Sequence, residues 1–234
     1  MRRQMTAVRI RNLAVPDDFG TLSCLVHRNG EYAVLCVAHV LAPPLLGVDP
    51  SMQPVVACDV GQSSEVGLLR NWDMPVSSSG VPYGPSLDAA VAGVSVRTAQ
   101  LLGNLPDFLP SALRTAPLAL QETVHFTGAS SGMRHTTVVH DTDARTDVSY
   151  FLYDLGRGAA MTSVDVSLRG LIQTDLTTQV IGGDSGSLLR DGDDRAVGIL
   201  VGTDIVRNYC YFSPLDKILH EFNATLWPAG RPIA

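Results

Sequence analysis

The sequence contains very little lysine and glutamate, the two residues that usually cover exposed helix faces. Among 17 basic residues only Lys217 is a lysine, and only 4 of the 23 acidic residues are glutamate. Valine occurs 26 times, with 21 glycines and 14 prolines, and most of the acidic residues are aspartate. Valine favours strands, whereas aspartate, glycine and proline favour turns. The composition therefore disfavours a mostly helical protein and predicts many short strands and loops.

Long hydrophobic runs are also missing. No segment approaches 18 consecutive apolar residues, so the sequence contains no candidate membrane-spanning helix. Residues 1–11 carry charges where a signal peptide needs an apolar stretch, and we therefore expect no secretion signal and a cytoplasmic location. The net charge of -6 and the lack of a basic stripe argue against nucleic acid as a partner.

The cysteines form no recognisable metal-binding pattern. None of the four lies in a Cys-x-x-Cys pair or a Cys/His cluster with zinc spacing, so we expect no metal site and no cofactor. Cys24 and Cys36 flank an Asn29-Gly30 turn and could face each other across a hairpin. With no signal peptide visible, reduced and buried thiols are favoured over a disulfide. The four are Cys24, Cys36, Cys58 and Cys210.

The predicted strands fall into two groups. Between residues 102 and 121, Pro106, Pro110 and Pro117 disfavour a continuous helix or central strand, so this stretch is predicted to connect two β-rich halves. Near the end, Ser213-Pro214 precedes apolar residues at helical spacing, which predicts a helix at about 214–223. The strands are predicted at 21–26, 32–37, 54–60, 66–72 and 89–96, and at 123–127, 134–140, 149–152, 162–168, 196–201 and 209–212.

A serine between glycines, Gly183-Asp184-Ser185-Gly186, is the first candidate for chemistry. A hydroxyl becomes a nucleophile when a base removes its proton and the resulting oxyanion is stabilised. Neighbouring glycines allow the backbone N–H groups of Gly183 and Ser185 to point into one small volume, as an oxyanion hole requires. Such a tetrapeptide is also common in ordinary turns, so further residues must support the assignment.

The nucleophile elbow of α/β-hydrolases does not fit this segment. That motif is Gly-x-Ser-x-Gly, and here Ser187 occupies the position of the last glycine. Its histidine must also follow the serine, and the only later histidine is His220, on the predicted terminal helix.

Two further segments complete a different arrangement. His39 ends an apolar run and Asp88 precedes one, giving the order His39, Asp88, Ser185, which is the chymotrypsin order. The segments Cys-Val-Ala-His at 36–39, Leu-Asp-Ala-Ala-Val-Ala at 87–92 and Gly-Asp-Ser-Gly-Ser at 183–187 resemble the three motifs of trypsin-like serine peptidases of the bacterial type. The resemblance extends over about residues 20–219, and 197–202 resembles the strand that lines the primary pocket.

The resemblance implies a fold of two packed six-stranded antiparallel β-barrels with a C-terminal α-helix. Residues 1–105 would form the first barrel, carrying His39 and Asp88, and 106–121 the connection. Residues 122–234 would form the second barrel, carrying Ser185, and the terminal helix. His39 would act as general base and then general acid, Asp88 would orient it, and Gly183 and Ser185 would supply the oxyanion hole.

The function implied is a serine endopeptidase that cleaves polypeptides through an acyl-enzyme, without a cofactor, and processes a specific protein inside a bacterial cell. One alternative is a catalytically silent module of the same fold that only binds a polypeptide, and another is an esterase. The family's cysteine after the catalytic histidine is replaced by Val40, and the new N-terminus that orients Asp184 in cleaved zymogens is missing.

The resemblance also indicates a specificity pocket. Its floor would be Gln179, six positions before Ser185, with walls from Val180 and from Val201, Gly202 and Thr203. A neutral amide at the floor predicts no strict preference for basic residues, unless Asp204 supplies a charge. The remaining histidines near predicted turns (His27, His125, His135 and His140) are expected at the surface.

Overall fold

The computed structural model describes residues 7–15, 17–48, 56–60, 63–82, 84–154, 159–177 and 179–233; the side chains of 56–60, 63–66 and 159–161 are not described. Within these ranges the chain forms three short helices, α1 (Ala38–Leu41), α2 (Val96–Gly103) and α3 (Leu215–Glu221). The strands are β1 (Arg9–Asn12), β2 (Gly20–Thr21), β3 (Cys24–Arg28), β4 (Glu31–Cys36), β5 (Val56–Val60), β6 (Ser63–Asp73), β7 (Ala89–Gly93), β8 (Thr123–Thr127), β9 (Arg134–Asp154), β10 (Ala159–Asp175), β11 (Leu188–Arg190), β12 (Ala196–Asp204), β13 (Tyr209–Pro214) and β14 (Ala224–Leu226).

The second half forms a closed barrel of six strands in the order β10-β13-β12-β11-β8-β9, with antiparallel pairing throughout. The first half is one sheet in the order β14-β3-β4-β7-β6-β5-β1-β2. Seven of its eight strands, β1 to β7, come from the predicted first barrel, and β14 comes from the C-terminal end of the chain. The short strands β2 and β14 form the two ends of the sheet. The structure confirms the predicted all-β fold with a C-terminal helix.

The hairpin of β3 and β4 turns as the sequence predicts. Arg28 pairs with Glu31, and the two residues between them, Asn29 and Gly30, have φ of 50° and 83°. Positive φ at both positions is required for the type I′ turn, which matches the twist of the flanking strands, and Asn-Gly adopts it readily.

The hairpin of β9 and β10 is far longer than predicted. The strands expected at 134–140 and 149–152 are one continuous strand of 21 residues, and β10 has 17. The polar residues around Asp141 and Asp143 interrupt the apolar pattern, so the sequence predicts no strand there. In the structure they belong to β9, and most of their neighbours in this part of the strand are exposed, where polar side chains are tolerated. The far end reaches the first half, where Tyr153 N–H donates to Pro44 O at 3.1 Å and Leu46 N–H donates to Tyr153 O at 2.9 Å.

Two other elements differ from the sequence prediction. Residues 94–96 do not continue β7; instead Ser95 caps α2, and its hydroxyl accepts from Thr98 N–H at 3.0 Å. Helix α3 confirms the predicted terminal helix, but β14 after it pairs with β3 in the first sheet.

The domain boundaries at 105/106 and 121/122 stay a prediction. The first two residues of the strand predicted at 54–60 lie outside the described residues.

Cys24, Cys36 and Cys210 are buried and form no disulfide among the described residues; their reduced state stays a prediction. Cys24 lies opposite Leu35 in the β3–β4 register, so the next residue, Cys36, belongs to the other face of the sheet. Burial raises the pKa of Cys24 and of Cys210 to about 12.

No helix within the described ranges is long and apolar enough to cross a membrane.

Candidate active site

His39 and Asp88 form a hydrogen-bonded pair in the first half. His39 lies in α1, a single turn that follows β4, and Asp88 directly precedes β7. The ring Nδ1 of His39 is 2.7 Å from Asp88 Oδ2, and the backbone N–H of His39 donates to Oδ1 at 3.0 Å. Asp88 is fully buried and has a φ of 47°, a conformation that aspartate tolerates better than most residues. The two contacts fix both the carboxylate and the ring facing it.

The surroundings of His39 favour its protonated form. Burial lowers its pKa, but the charge of Asp88 and the hydrogen bond to it raise the pKa more, and Asp18 adds to the rise, so the pKa lies above the usual value. The side chain of His39 remains 24% exposed, so the ring is accessible from the cleft. A histidine with a stabilised imidazolium is suited to take a proton during catalysis and return it later.

The segment around Ser185 is held in place by the first half of the chain. Thr21 donates its backbone N–H to Ser185 O at 2.7 Å and its hydroxyl to Gly183 O at 3.0 Å. Ser23 donates its hydroxyl to Gly186 O at 2.5 Å. Gly186 has a φ of 91°, and a Cβ there would overlap Thr21 O and lie 2.5 Å from Cys36 Sγ, so the close approach of the two halves requires glycine.

The backbone at the serine leaves two N–H groups available. Those of Gly183 and Ser185 donate to no described residue, whereas the neighbouring Asp184 N–H donates to Ile181 O at 3.1 Å. Gly183 has a φ of 91°. These are the two donors that the sequence predicts for an oxyanion hole.

Asp184 is oriented by the loop at 128–132. Its carboxylate is fully buried and accepts from the backbone N–H groups of Ser130 and Ser131, each at 3.0 Å, and of Ile181 at 3.2 Å. A Cβ at Gly128 would overlap this carboxylate. Three backbone donors among the described residues thus hold the Asp184 carboxylate.

The side chain of His135 contacts the same loop through Ser131. Its Nε2 is 2.9 Å from Ser131 Oγ, its Nδ1 is 2.6 Å from Thr177 Oγ1, and its ring stacks on Phe126 with centroids 4.7 Å apart. The expectation of a surface position is wrong for His135 and for His125, which are 4% and 5% exposed. No signal in the sequence distinguishes them, because their burial depends on the barrel closing around them.

His39, Gly183 and Ser185 line one cleft of about 420 Å³ between the two halves. The described residues show no hydrogen bond between the Ser185 hydroxyl and the His39 ring, a contact that in proteases often tightens only when substrate binds. The cleft is also lined by residues that no sequence motif connects with the site: residues 146–151 and Tyr153, all on strand β9.

The predicted specificity residues separate into two sets. Val201, Gly202 and Thr203 line the cleft as expected. Gln179 is exposed and does not line it, and Val180 packs against the core of the second barrel. Asp204 also stays outside the lining and accepts from Arg207 N–H at 2.9 Å. The loop before Ser185 therefore does not place Gln179 on the floor of this cleft.

Around Gly202 the cleft is lined by uncharged side chains. Gly202 lies opposite Tyr211 in the β12–β13 register, and a Cβ at Gly202 would lie 3.7 Å from Val148 Cγ2. Among the described residues, the acidic members of the lining are Asp18 and Asp147, and none is an arginine or lysine. Within the described part of the chain, no group of three or more histidine, cysteine, aspartate or glutamate side chains is arranged to hold a metal ion.

The fold is similar to that of solved bacterial serine proteases. A glutamic acid-specific serine protease, described as using a histidine triad in substrate binding, superposes with a TM-score of 0.58 at 14% identity, over 94% of this chain and 97% of its own. The Nocardiopsis protease NAPase gives 0.56 at 16% identity, over 95% and 98%. The active form of the Rv3671c protease from M. tuberculosis gives 0.54 at 19%, over 97% and 84%. No protein-family model and no curated protein sequence matches the chain. The chain therefore has the chymotrypsin fold.

Proposed function

We propose that this protein is a serine endopeptidase whose triad is His39, Asp88 and Ser185. The observation that carries the proposal is the convergence at one cleft of an Asp88-bound His39, the Ser185 hydroxyl and two available N–H donors. These are the parts needed for acyl transfer: base, orienting carboxylate, nucleophile and oxyanion hole.

In the proposed reaction, His39 removes the proton of the Ser185 hydroxyl as the oxygen attacks the scissile carbonyl. Asp88 keeps the Nδ1 proton of His39 in place and stabilises the imidazolium that forms. The N–H groups of Gly183 and Ser185 bind the oxyanion. His39 then protonates the leaving amine, and a water molecule activated by the same ring hydrolyses the acyl-enzyme.

The substrate we propose is a polypeptide with an uncharged residue before the scissile bond. Val148, Val201, Thr203 and Tyr211 are described side chains near Gly202, and none of them can neutralise a buried cation. The acidic residues of the cleft, Asp18 and Asp147, accept hydrogen bonds from Tyr153 and Ser167. This keeps the preference inferred from sequence but assigns it to residues other than Gln179. Profiling on a peptide library would decide, since exclusive cleavage after arginine or lysine would rule the preference out.

We further propose that the protein works inside a bacterial cell on one partner protein. The support for an intracellular location is chemical: Cys24, Cys36 and Cys210 are buried and unpaired in the described part of the chain, as is usual in a reducing compartment. Fractionation of cells that express the tagged full-length protein would test the location.

The experiment that tests the activity is labelling with a fluorophosphonate probe, which reacts with activated serines. Wild type should be labelled, and Ser185→Ala should not. Ser187→Ala is the matched control in the same loop and should be labelled like wild type, because Ser187 Oγ donates to Asp184 O and lies outside the cleft. Binding of a polypeptide without labelling would favour the silent binding module. Hydrolysis of esters but of no peptide would favour the esterase.

A further inference from the structure

Asp88 has a hydrogen-bond donor that the sequence does not connect with the triad. The phenolic hydroxyl of Tyr150 donates to Asp88 Oδ2 at 3.1 Å, the same oxygen that faces His39 Nδ1 at 2.7 Å. The other oxygen, Oδ1, accepts from the His39 backbone. Of the described residues in the second half of the chain, Tyr150 is the one whose side chain bonds to this carboxylate.

We propose that Tyr150 is a positioning residue of the triad, whose hydroxyl fixes the rotation of the Asp88 carboxylate and, through it, the His39 ring. The inference rests on the proposed function, because it assigns Asp88 its role in that reaction. Tyr150 acts through Asp88 and takes no part in bond making or breaking.

Among the described residues, Asp88 is the one hydrogen-bond partner of the Tyr150 hydroxyl. Tyr150 is 2% exposed, and a buried hydroxyl is satisfied by whatever acceptor lies within reach. Burial raises the pKa of Tyr150 well above its usual range, and the negative charge of Asp88 and the hydrogen bond to it, with Asp73 nearby, raise it further. The hydroxyl therefore keeps its proton and donates throughout the pH range in which a histidine titrates.

The position of Tyr150 is set by strand β9, whose backbone is held at both the second barrel and the first half of the chain. Three residues further on, the backbone of Tyr153 bonds to Pro44 and Leu46 of the first half, and its hydroxyl donates to Asp18 Oδ2 at 2.5 Å. The ring of Tyr150 meets the His39 ring edge-on, with centroids 6.0 Å apart and planes at 66°. The long hairpin thus ties the second half to the catalytic pair of the first half.

Removal of this hydroxyl changes the charge that His39 experiences. A donor on Oδ2 disperses part of the carboxylate's negative charge, so without it Asp88 stabilises the imidazolium more strongly and the His39 pKa rises. The other ionisable groups around the pair are Asp18, Asp73 and the thiol of Cys36, and a Tyr150→Phe variant alters none of them. The carboxylate also becomes freer to rotate, which lowers the fraction of aligned triads.

The first test needs no turnover. In the Ser185→Ala background, NMR titration of the His39 ring proton should show that Tyr150→Phe raises the His39 pKa by about half a unit. The matched control is Tyr209→Phe on β13, a half-buried tyrosine whose ring lies against His140, and it should leave the His39 pKa in place. An unchanged His39 pKa in Tyr150→Phe would overturn the proposal.

The second test uses the active protein. Tyr150→Phe should lower kcat about tenfold with KM nearly unchanged, move the acid limb of the pH profile upward, and lose its effect in an Asp88→Asn background. A wild-type kcat and pH limb in Tyr150→Phe would contradict the inference. If the wild type is inactive, the proposed function fails. The NMR titration still shows whether the Tyr150 hydroxyl acts on the pair of Asp88 and His39.

A variant that keeps the shape of the side chain covers the case in which Tyr150→Phe does not fold. Uniform incorporation of 3-fluorotyrosine makes the phenol a stronger donor, so the His39 pKa should fall instead of rise. The same labelling of Tyr150→Phe separates the contribution of Tyr150 from that of other tyrosines. If that variant is unfolded, labelling of Tyr153→Phe removes the contribution of the tyrosine that donates to Asp18. A His39 pKa that does not respond to the fluorine would overturn the proposal.

Discussion

The backbone N–H of Thr21 donates to the carbonyl of Ser185 at 2.7 Å, so a residue of the first sheet fixes the proposed nucleophile of the second barrel. His39 and Asp88 belong to the same first half. The proposed triad is therefore assembled across the interface, and its geometry depends on contacts that bring residues 21–23 against residues 183–186. Substitutions at this interface should affect activity and stability together.

Ser185→Ala and His39→Ala should each nearly abolish peptide hydrolysis, and the double variant should be scarcely slower than either. Members of a triad act as a unit, so their losses do not add. Asp88→Asn should lose on the order of 10⁴ in kcat because it favours the wrong histidine tautomer. Steady-state kinetics on a fluorogenic peptide would measure all four, and half of the wild-type activity in Ser185→Ala would end the serine-peptidase assignment.

Activity should rise with pH through an apparent pKa above the ordinary histidine value of about 6.5. Only the neutral imidazole of His39 can accept the serine proton, and the raised pKa of His39 keeps the ring protonated to higher pH than a free histidine. A profile of kcat/KM against pH measures this limb directly. A limb below pH 6 would show that Asp88 does not carry the charge assigned to it.

Gly186→Ala should lower the free energy of unfolding by about 1–3 kcal/mol and reduce activity strongly. The φ of 91° disfavours a side chain, and the added Cβ would overlap Thr21 O and push the serine loop from the first sheet. Gly192→Ala is the matched control because a Cβ there meets no atom within 4 Å. Denaturant unfolding with parallel activity assays would compare them, and equal behaviour of the two variants would contradict the interface argument.

EDTA and dithiothreitol should leave both activity and melting temperature unchanged. The proposed reaction uses no metal, and Cys24, Cys36 and Cys210 carry free thiols. Thermal melts and peptide assays with and without each reagent would check this. Loss of activity with EDTA would reveal a metal requirement, and a large drop in melting temperature with dithiothreitol would reveal a disulfide.

The sequence by itself determines the local features of this protein. The Asn29-Gly30 turn, the helix after Pro214 and the glycines beside Ser185 follow from backbone preferences of single residues, and the order His39, Asp88, Ser185 is readable directly. These features need no knowledge of distant contacts, because each depends on φ, on periodicity or on the identity of a few neighbours.

Only the tertiary structure decides which distant residues meet. The polar stretch in β9 gives no indication that the strand continues across it, so neither the wall of the cleft nor the bond from Tyr150 to Asp88 could be predicted. Gln179 was predicted from its spacing to Ser185, but the conformation of the intervening loop leaves it exposed. His135 is buried because the barrel closes around it. Contacts between residues far apart in sequence depend on the packing of the two halves, and no local pattern encodes that packing.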